Sequence, residues 1–153
     1  MNKIESPENS NRLQIRKLIP APPERVFRAW TNPDELKLWW GPQGVRCISA
    51  EIELKVGGQY RIGNELADGT ILFIKGEFDV IERPHLLRYS WAIENDHPTI
   101  ERVTVQFEAH EFGTELLLTH ELISTTALRD QHQNGWHGCM DGLRDYLTGS
   151  ATG

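Results

Sequence analysis

Chemistry near neutral pH belongs first to histidine, and two of the six histidines occupy telling positions. Leu116, Leu118, His120 and Leu122 stand two apart and share one face of a strand, which turns the imidazole of His120 toward an apolar interior. A buried imidazole needs a partner and can act as acid or base, which makes His120 a weak catalytic candidate beside its plainer reading as a satisfied core histidine. His132 lies on the apolar stripe of the C-terminal stretch and carries the same two readings. His137 and Asp141 stand four apart, one helical turn, but two ligands make an incomplete set, and no metal site or cofactor is expected. No phosphate-binding glycine loop, nucleophile elbow or Ser/His/Asp order is present.

The aromatic residues are the other chemical resource. Trp39 and Trp40 are adjacent, so one is expected to reach the core and the other a rim, where an indole could gate a cavity mouth. Tyr60, Tyr89, Trp91, Phe107 and Trp136 converge on the interior if the alternation is read correctly, and Met140 shares the stripe of Trp136. Either they fill a core or they line a cavity for a hydrophobic or amphipathic molecule, with His120, His132 and the tyrosine hydroxyls fixing its orientation.

These residues have to be positioned by a definite set of elements. From Arg12 to Pro20 the pattern is a strand; Ala21-Pro22-Pro23-Glu24 opens a short helix with Val26, Phe27 and Trp30 inward, and Pro33 starts another. Strands are then expected at 45–54 (Ile48, Ala50, Ile52 and Leu54 on one side), 59–66, 70–82 with a bend or bulge at Gly76, 86–94, 100–109 and 114–123. Asn95-Asp96-His97-Pro98 reads as a turn. Strands joined so tightly are antiparallel, because parallel pairing needs a long crossover. The last stretch, from Ser124 to Leu147, places Leu128, His132, Trp136, Cys139, Met140, Leu143 and Leu147 on one helical face. Ser124 or Thr125 caps it and Gly149 stops it. Gly135, Gly138 and Gly142 would each weaken an isolated helix by about 1 kcal/mol, so packing holds it; the missing side chains allow either close backbone approach or room for a ligand. The fold class expected is α+β: a curved antiparallel sheet with two short helices after the first strand and a long C-terminal helix across it.

The chain has 153 residues, a net charge of −6, 39% hydrophobic and 25% charged residues. That suits one domain, and the acidic balance argues against nucleic acid or an anionic membrane as partner. No apolar run is long enough to span a bilayer, and the polar first residues lack a signal-peptide core, so the expected location is cytoplasmic. Cys47 and Cys139 read as reduced core residues. Residues 1–11 read as a disordered lead-in, 12–149 as the domain and 150–153 as a tail.

Val26-Phe27-Arg28-Ala29-Trp30-Thr31, Trp39-Trp40-Gly41-Pro42, Gly57-Gly58-Gln59-Tyr60-Arg61 and Gly135-Trp136 resemble the SRPBCC superfamily, the helix-grip fold of the birch-pollen allergen and START domains. Within it the chain is most similar to the AHSA-type proteins, named for a domain of the activator of the heat-shock protein 90 ATPase. The resemblance covers roughly residues 12–147. It implies a helix-grip domain with a cavity between sheet and C-terminal helix, and a binding module for a hydrophobic small molecule. The alternatives it implies are a cyclase- or hydratase-like enzyme using a pocket histidine, with His120 and Tyr89 or Tyr60 as its acid–base set, and a regulator that binds a chaperone. The first reading assigns ligand contact to Trp39, Trp40, Tyr60, Tyr89, Trp91, Phe107, His120, His132, Trp136 and Met140.

Overall fold

The computed structural model describes residues 11–42, 44–94 and 100–149. Residues 1–10 of the expected lead-in, the expected turn at 95–98 and the tail at 150–153 lie outside them. Strand β1 (Leu13–Ile19) leads into helices α1 (Pro23–Thr31) and α2 (Pro33–Trp39). Six strands follow, β2 (Arg46–Ile52), β3 (Gln59–Glu65), β4 (Ile71–Glu82), β5 (Leu86–Ile93), β6 (Glu101–His110) and β7 (Gly113–Glu121), and then helix α3 (Thr126–Thr148). The strands form one antiparallel sheet in the order β1-β7-β6-β5-β4-β3-β2. Its inner face and the helices enclose the core, so the expected architecture is the observed one. Among the described residues, no helix is long and apolar enough to cross a membrane.

The helices begin and end where local chemistry dictates. Proline in the first turn of α1 and of α2 loses no hydrogen bond, because the first amides of a helix have no intrahelical acceptor. Asn32 ends α1 and caps α2, its side chain accepting from the amides of Asp34 (3.0 Å) and Glu35 (3.1 Å). Thr125 caps α3 through the amide of Leu128 (3.1 Å), and Gly149 stops it in the left-handed conformation, φ +79°.

Alternation sets which residues enter the core. Along β6, Glu101, Val103, Val105 and Phe107 are all buried; along β7, Thr114, Leu116, Leu118 and His120 are. Two expectations fail for a backbone reason. Ile48 and Leu54 are exposed, because β2 carries a bulge between Cys47 and Ser49 and ends at Ile52; Ala50 and Ile52 pack against the core as expected, and Cys47 joins them in place of Ile48. Leu122 lies beyond β7 with φ +65°, which breaks the alternation and turns Ile123 into the core. The bulge expected at Gly76 falls between Phe78 and Val80; Gly76 is instead a point of close approach, where a Cβ would collide with the carbonyl oxygen of Ser90.

Helix α3 is tied down along its length. Asn11 and Thr126 are hydrogen-bonded (3.1 Å), and Arg129 donates to the carbonyl oxygen of Arg12 (2.9 Å). Lys17 pairs with Asp141 (2.6 Å), and Tyr146 donates to Glu35 (2.7 Å), which also holds Arg25 and Arg28. Burial raises the proton affinity of Glu35, but bonds from Tyr146, Arg25 and Arg28 outweigh it and hold the carboxyl below its ordinary range. The glycines of α3 divide the two roles open to them. A Cβ on Gly142 would lie 2.7 Å from the carbonyl oxygen of Trp39, so this glycine lets α3 touch the end of α2. A Cβ on Gly135 would meet nothing within 4 Å.

Opposite outcomes are therefore expected for one chemical change. Gly135→Ala should gain about 0.5–1 kcal/mol from helix propensity. Gly142→Ala should lose stability despite the same propensity gain, since backbone must move. Urea unfolding of both variants checks this, and equal shifts of one sign would contradict it.

Candidate functional site

The polar heart of the molecule joins β6, β7 and α3. The Glu101 carboxylate, 6% exposed, places one oxygen 2.7 Å from Nε2 of His120 and 2.9 Å from Nε2 of His132. The two imidazoles stack, centroids 4.4 Å apart. Trp136 donates its indole N–H to Nδ1 of His120 (2.9 Å). That last bond fixes the tautomer: indole can only donate, so Nδ1 accepts, and the proton of neutral His120 sits on Nε2 and goes to Glu101. Burial disfavours ionised Glu101, yet the bonds from His120 and His132 more than offset it and hold its carboxyl down at about 2. Burial keeps His120 below the ordinary histidine range, with only partial opposition from Glu101.

Two imidazoles and a carboxylate also form a donor set of the kind that metals take, their ligand atoms lying within 4.8 Å of one another. The bond from Trp136 works against that use. Ligation through Nε2 of His120 would move its proton to Nδ1, facing the indole N–H, whereas a ligating histidine ordinarily donates its second N–H to an acceptor. As arranged, the cluster is a hydrogen-bonded relay. The other candidate pair is apart from it: Asp141 is held by Lys17, and His137 is exposed.

Beside the relay lies a cavity of about 150 Å³ between α3 and the sheet. Its walls are mostly apolar side chains of the Trp40–Val45 segment and of β4 (Trp40, Val45, Leu72, Ile74), with Trp91, Trp136 and Cys139, the amide of Asn64 from β3, and Gln131, His132 and Gly135 on the helix side. The open space beside Gly135 is thus part of the cavity. A second void, about 20 Å³, shares Trp40 and Trp91 and is lined by Tyr60 and Tyr89. A larger concavity of about 480 Å³ is an open groove among charged side chains of the outer sheet face, where Arg61 and Glu94 pair at 2.6 Å.

Of the residues singled out from the sequence, Trp40, Trp91, His132 and Trp136 meet at the main cavity, and Tyr60 and Tyr89 at the small void. Trp39, Phe107, His120 and Met140 are buried without lining either. His120 has both ring nitrogens engaged, by Glu101 and by Trp136. Both tryptophans of the adjacent pair are buried, contrary to the expectation of one at the rim. Helix α2 ends at Trp39, and Trp40 is extended (φ −70°, ψ 140°), which frees it from helical spacing. Trp39 donates to the carbonyl oxygen of Ala29 (2.9 Å) and Trp40 to the side chain of Asn64 (3.0 Å). Sequence reasoning missed Glu101 and Asn64. Both were findable, since Glu101 shares the alternation of Val103, Val105 and Phe107, and Asn64 that of Tyr60 and Ile62.

The fold and site define a helix-grip domain with a small apolar cavity under its long helix. The family model for "Activator of Hsp90 ATPase homolog 1-like protein" matches residues 20–148, and the chain belongs to that family. Solved structures agree. A protein from Chromobacterium violaceum is 24% identical with a TM-score of 0.82, covering 88% of this chain and 94% of its own. An AHSA1-like protein from Aeromonas hydrophila is 25% identical with a TM-score of 0.76, covering 92% and 94%. A protein from Nitrosomonas europaea, 18% identical, reaches 0.80 over 98% of this chain and 100% of its own. None of the curated proteins matches the chain.

Two outcomes follow from the relay. Trp136→Phe keeps the ring but strands Nδ1 of His120, and should cost about 1–3 kcal/mol, against about 3–5 for Trp136→Ala; chemical denaturation measures both, and an unchanged midpoint for the alanine variant would show that the helix does not dock by this face. The second concerns acid. The folded carboxyl of Glu101 sits at about 2 against an ordinary 4.5, so its contribution is complete above pH 4.5 and is lost as pH falls toward 2. Depressed His120 acts in the same sense: below its ordinary 6.5 the unfolded chain takes up the proton first. Stability should therefore fall with acid from about pH 6.5, and Glu101→Gln should flatten the part between 4.5 and 2; identical acid profiles would count against the assignment.

Proposed function

We propose that this chain is a binding module that holds a small, largely apolar molecule between α3 and the sheet. The observation that carries the reading is the 150 Å³ cavity at Gly135, where the helix withholds a side chain from space that is otherwise walled by tryptophans and aliphatic groups. A mostly apolar space of about this size admits a benzene-sized guest. Larger drug-like ligands usually need about 300 Å³ or more, so the occupant is a single ring or a short chain. Two free cysteines accord with a cytoplasmic setting.

A chaperone partner, which the family's name suggests, would need a contiguous apolar patch. Among the described residues, the large exposed apolar side chains are Leu18 on β1, Leu38 on α2, Ile48 on β2, Leu54 and Val56 in the β2–β3 connection, Ile71 on β4, Ile100 before β6 and Phe112 in the β6–β7 turn, so they come from most of the elements in turn.

Toluene titrated into the protein should change the emission of the tryptophans around the cavity and raise the melting temperature by mass action. Gly135→Leu, which fills the cavity from the helix, should abolish both effects while leaving the fold intact. Toluene effects that are absent in the native chain, or that survive in Gly135→Leu, would remove the cavity as the site.

A further inference from the structure

The polar atoms at the cavity wall narrow the ligand further. Trp91 lines both voids, and its indole N–H is buried without a hydrogen-bond partner among the described residues. A buried donor left unpaired is costly, and such groups in folded proteins are nearly always answered. His132 supplies the complementary group. Its Nε2 proton goes to the Glu101 carboxylate, which can only accept, so in the neutral ring Nδ1 carries a free lone pair. Nδ1 has no hydrogen-bond partner among the described residues. The rings of Trp91 and His132 are neighbours on the cavity wall, meeting edge to face with centroids 6.0 Å apart. The mostly apolar cavity wall thus carries an unpaired indole donor and an imidazole acceptor; of its two other polar side chains, Asn64 is already bonded to Trp40, Ile62 and Leu72, and Gln131 is exposed. The lining contains no Lys, Arg, Asp or Glu, so a charged ligand would find no counter-charge there.

We propose that the ligand is a small neutral phenol, with the ring in the tryptophan-walled cavity and the hydroxyl between Trp91 and His132. The hydroxyl accepts from Nε1 of Trp91 and donates to Nδ1 of His132. It is the smallest neutral group that both accepts and donates through one atom. The aromatic ring is matched by Trp40, Trp91 and Trp136, whose faces and edges already meet one another around this space (Trp40–Trp136 5.4 Å, Trp91–Trp136 5.4 Å). Glu101 acts here as a positioning residue: by taking the Nε2 proton it aims the lone pair of Nδ1 outward. This proposal rests on the cavity being the binding site.

The test compares phenol with toluene, which has nearly the same shape and no hydroxyl. Toluene sheds water more cheaply, so an apolar cavity without matched partners would prefer it; matched partners reverse the order. Calorimetric titration of the full chain with each compound should show phenol binding at least about tenfold tighter. Tighter binding of toluene would overturn the phenol assignment and leave the cavity reading standing, whereas failure of both to bind would overturn the cavity reading itself. Trp91→Phe should abolish the preference for phenol while retaining toluene binding. His132→Phe should do the same, and if it does not fold, as judged by circular dichroism, Trp91→Phe carries the test. A phenol preference unchanged in Trp91→Phe would overturn the role given to the indole.

Discussion

A carboxylate taken out of water has to be answered by donors, and Glu101 is answered by two imidazoles from two different elements. The rest of the core is arranged around that requirement. His120 comes from the strand beside β6, His132 from the helix laid across both, and Trp136, one turn along the same helix, takes the remaining nitrogen of His120. Each member is held by the next, so removing one leaves a buried polar group stranded rather than merely deleting a contact. The surrounding aromatic rings keep water away: Trp91 meets His120 edge on at 5.1 Å, and Trp30 stacks against Trp136 at 6.1 Å. The relay specifies one register of α3 against the sheet, because a shift by one residue would take His132 from Glu101 and Trp136 from His120.

Much of this arrangement was legible in the sequence. Strict alternation in β5, β6 and β7, together with short turns, is enough to yield an antiparallel sheet, and a single apolar stripe on α3 is enough to lay it on that sheet. His120, His132 and Trp136 were each readable as facing inward. Their meeting was not, since it depends on how far α3 slides along the sheet, and nothing local encodes that offset. The same limit explains the aromatic residues. Alternation says that Phe107 points inward, but whether an inward ring borders a void or fills it is decided by neighbours from other elements, here Phe27 and Trp30. Irregular backbone was the other blind spot: the bulge in β2, the left-handed Leu122 and the extended Trp40 each reassign side chains that a regular period would place otherwise. The glycines of α3 show both faces of the problem, for the sequence named their two possible uses, and only the structure assigns close approach to Gly142 and open space to Gly135.

The fastening of α3 has a consequence for what the domain can admit. Its first turns are bonded to Asn11 and Arg12, its last to Lys17 and Glu35, and Gly142 abuts the end of α2. A rod pinned at both ends cannot be levered off the sheet, so the space beneath it expands only by rotation of a side chain. Two side chains, Trp40 and Trp91, form the wall shared by the two voids, and the polar tether of Trp40 is the bond to Asn64. The two spaces are therefore kept apart by the indoles of Trp40 and Trp91, and the bond to Asn64 holds the first of these in place.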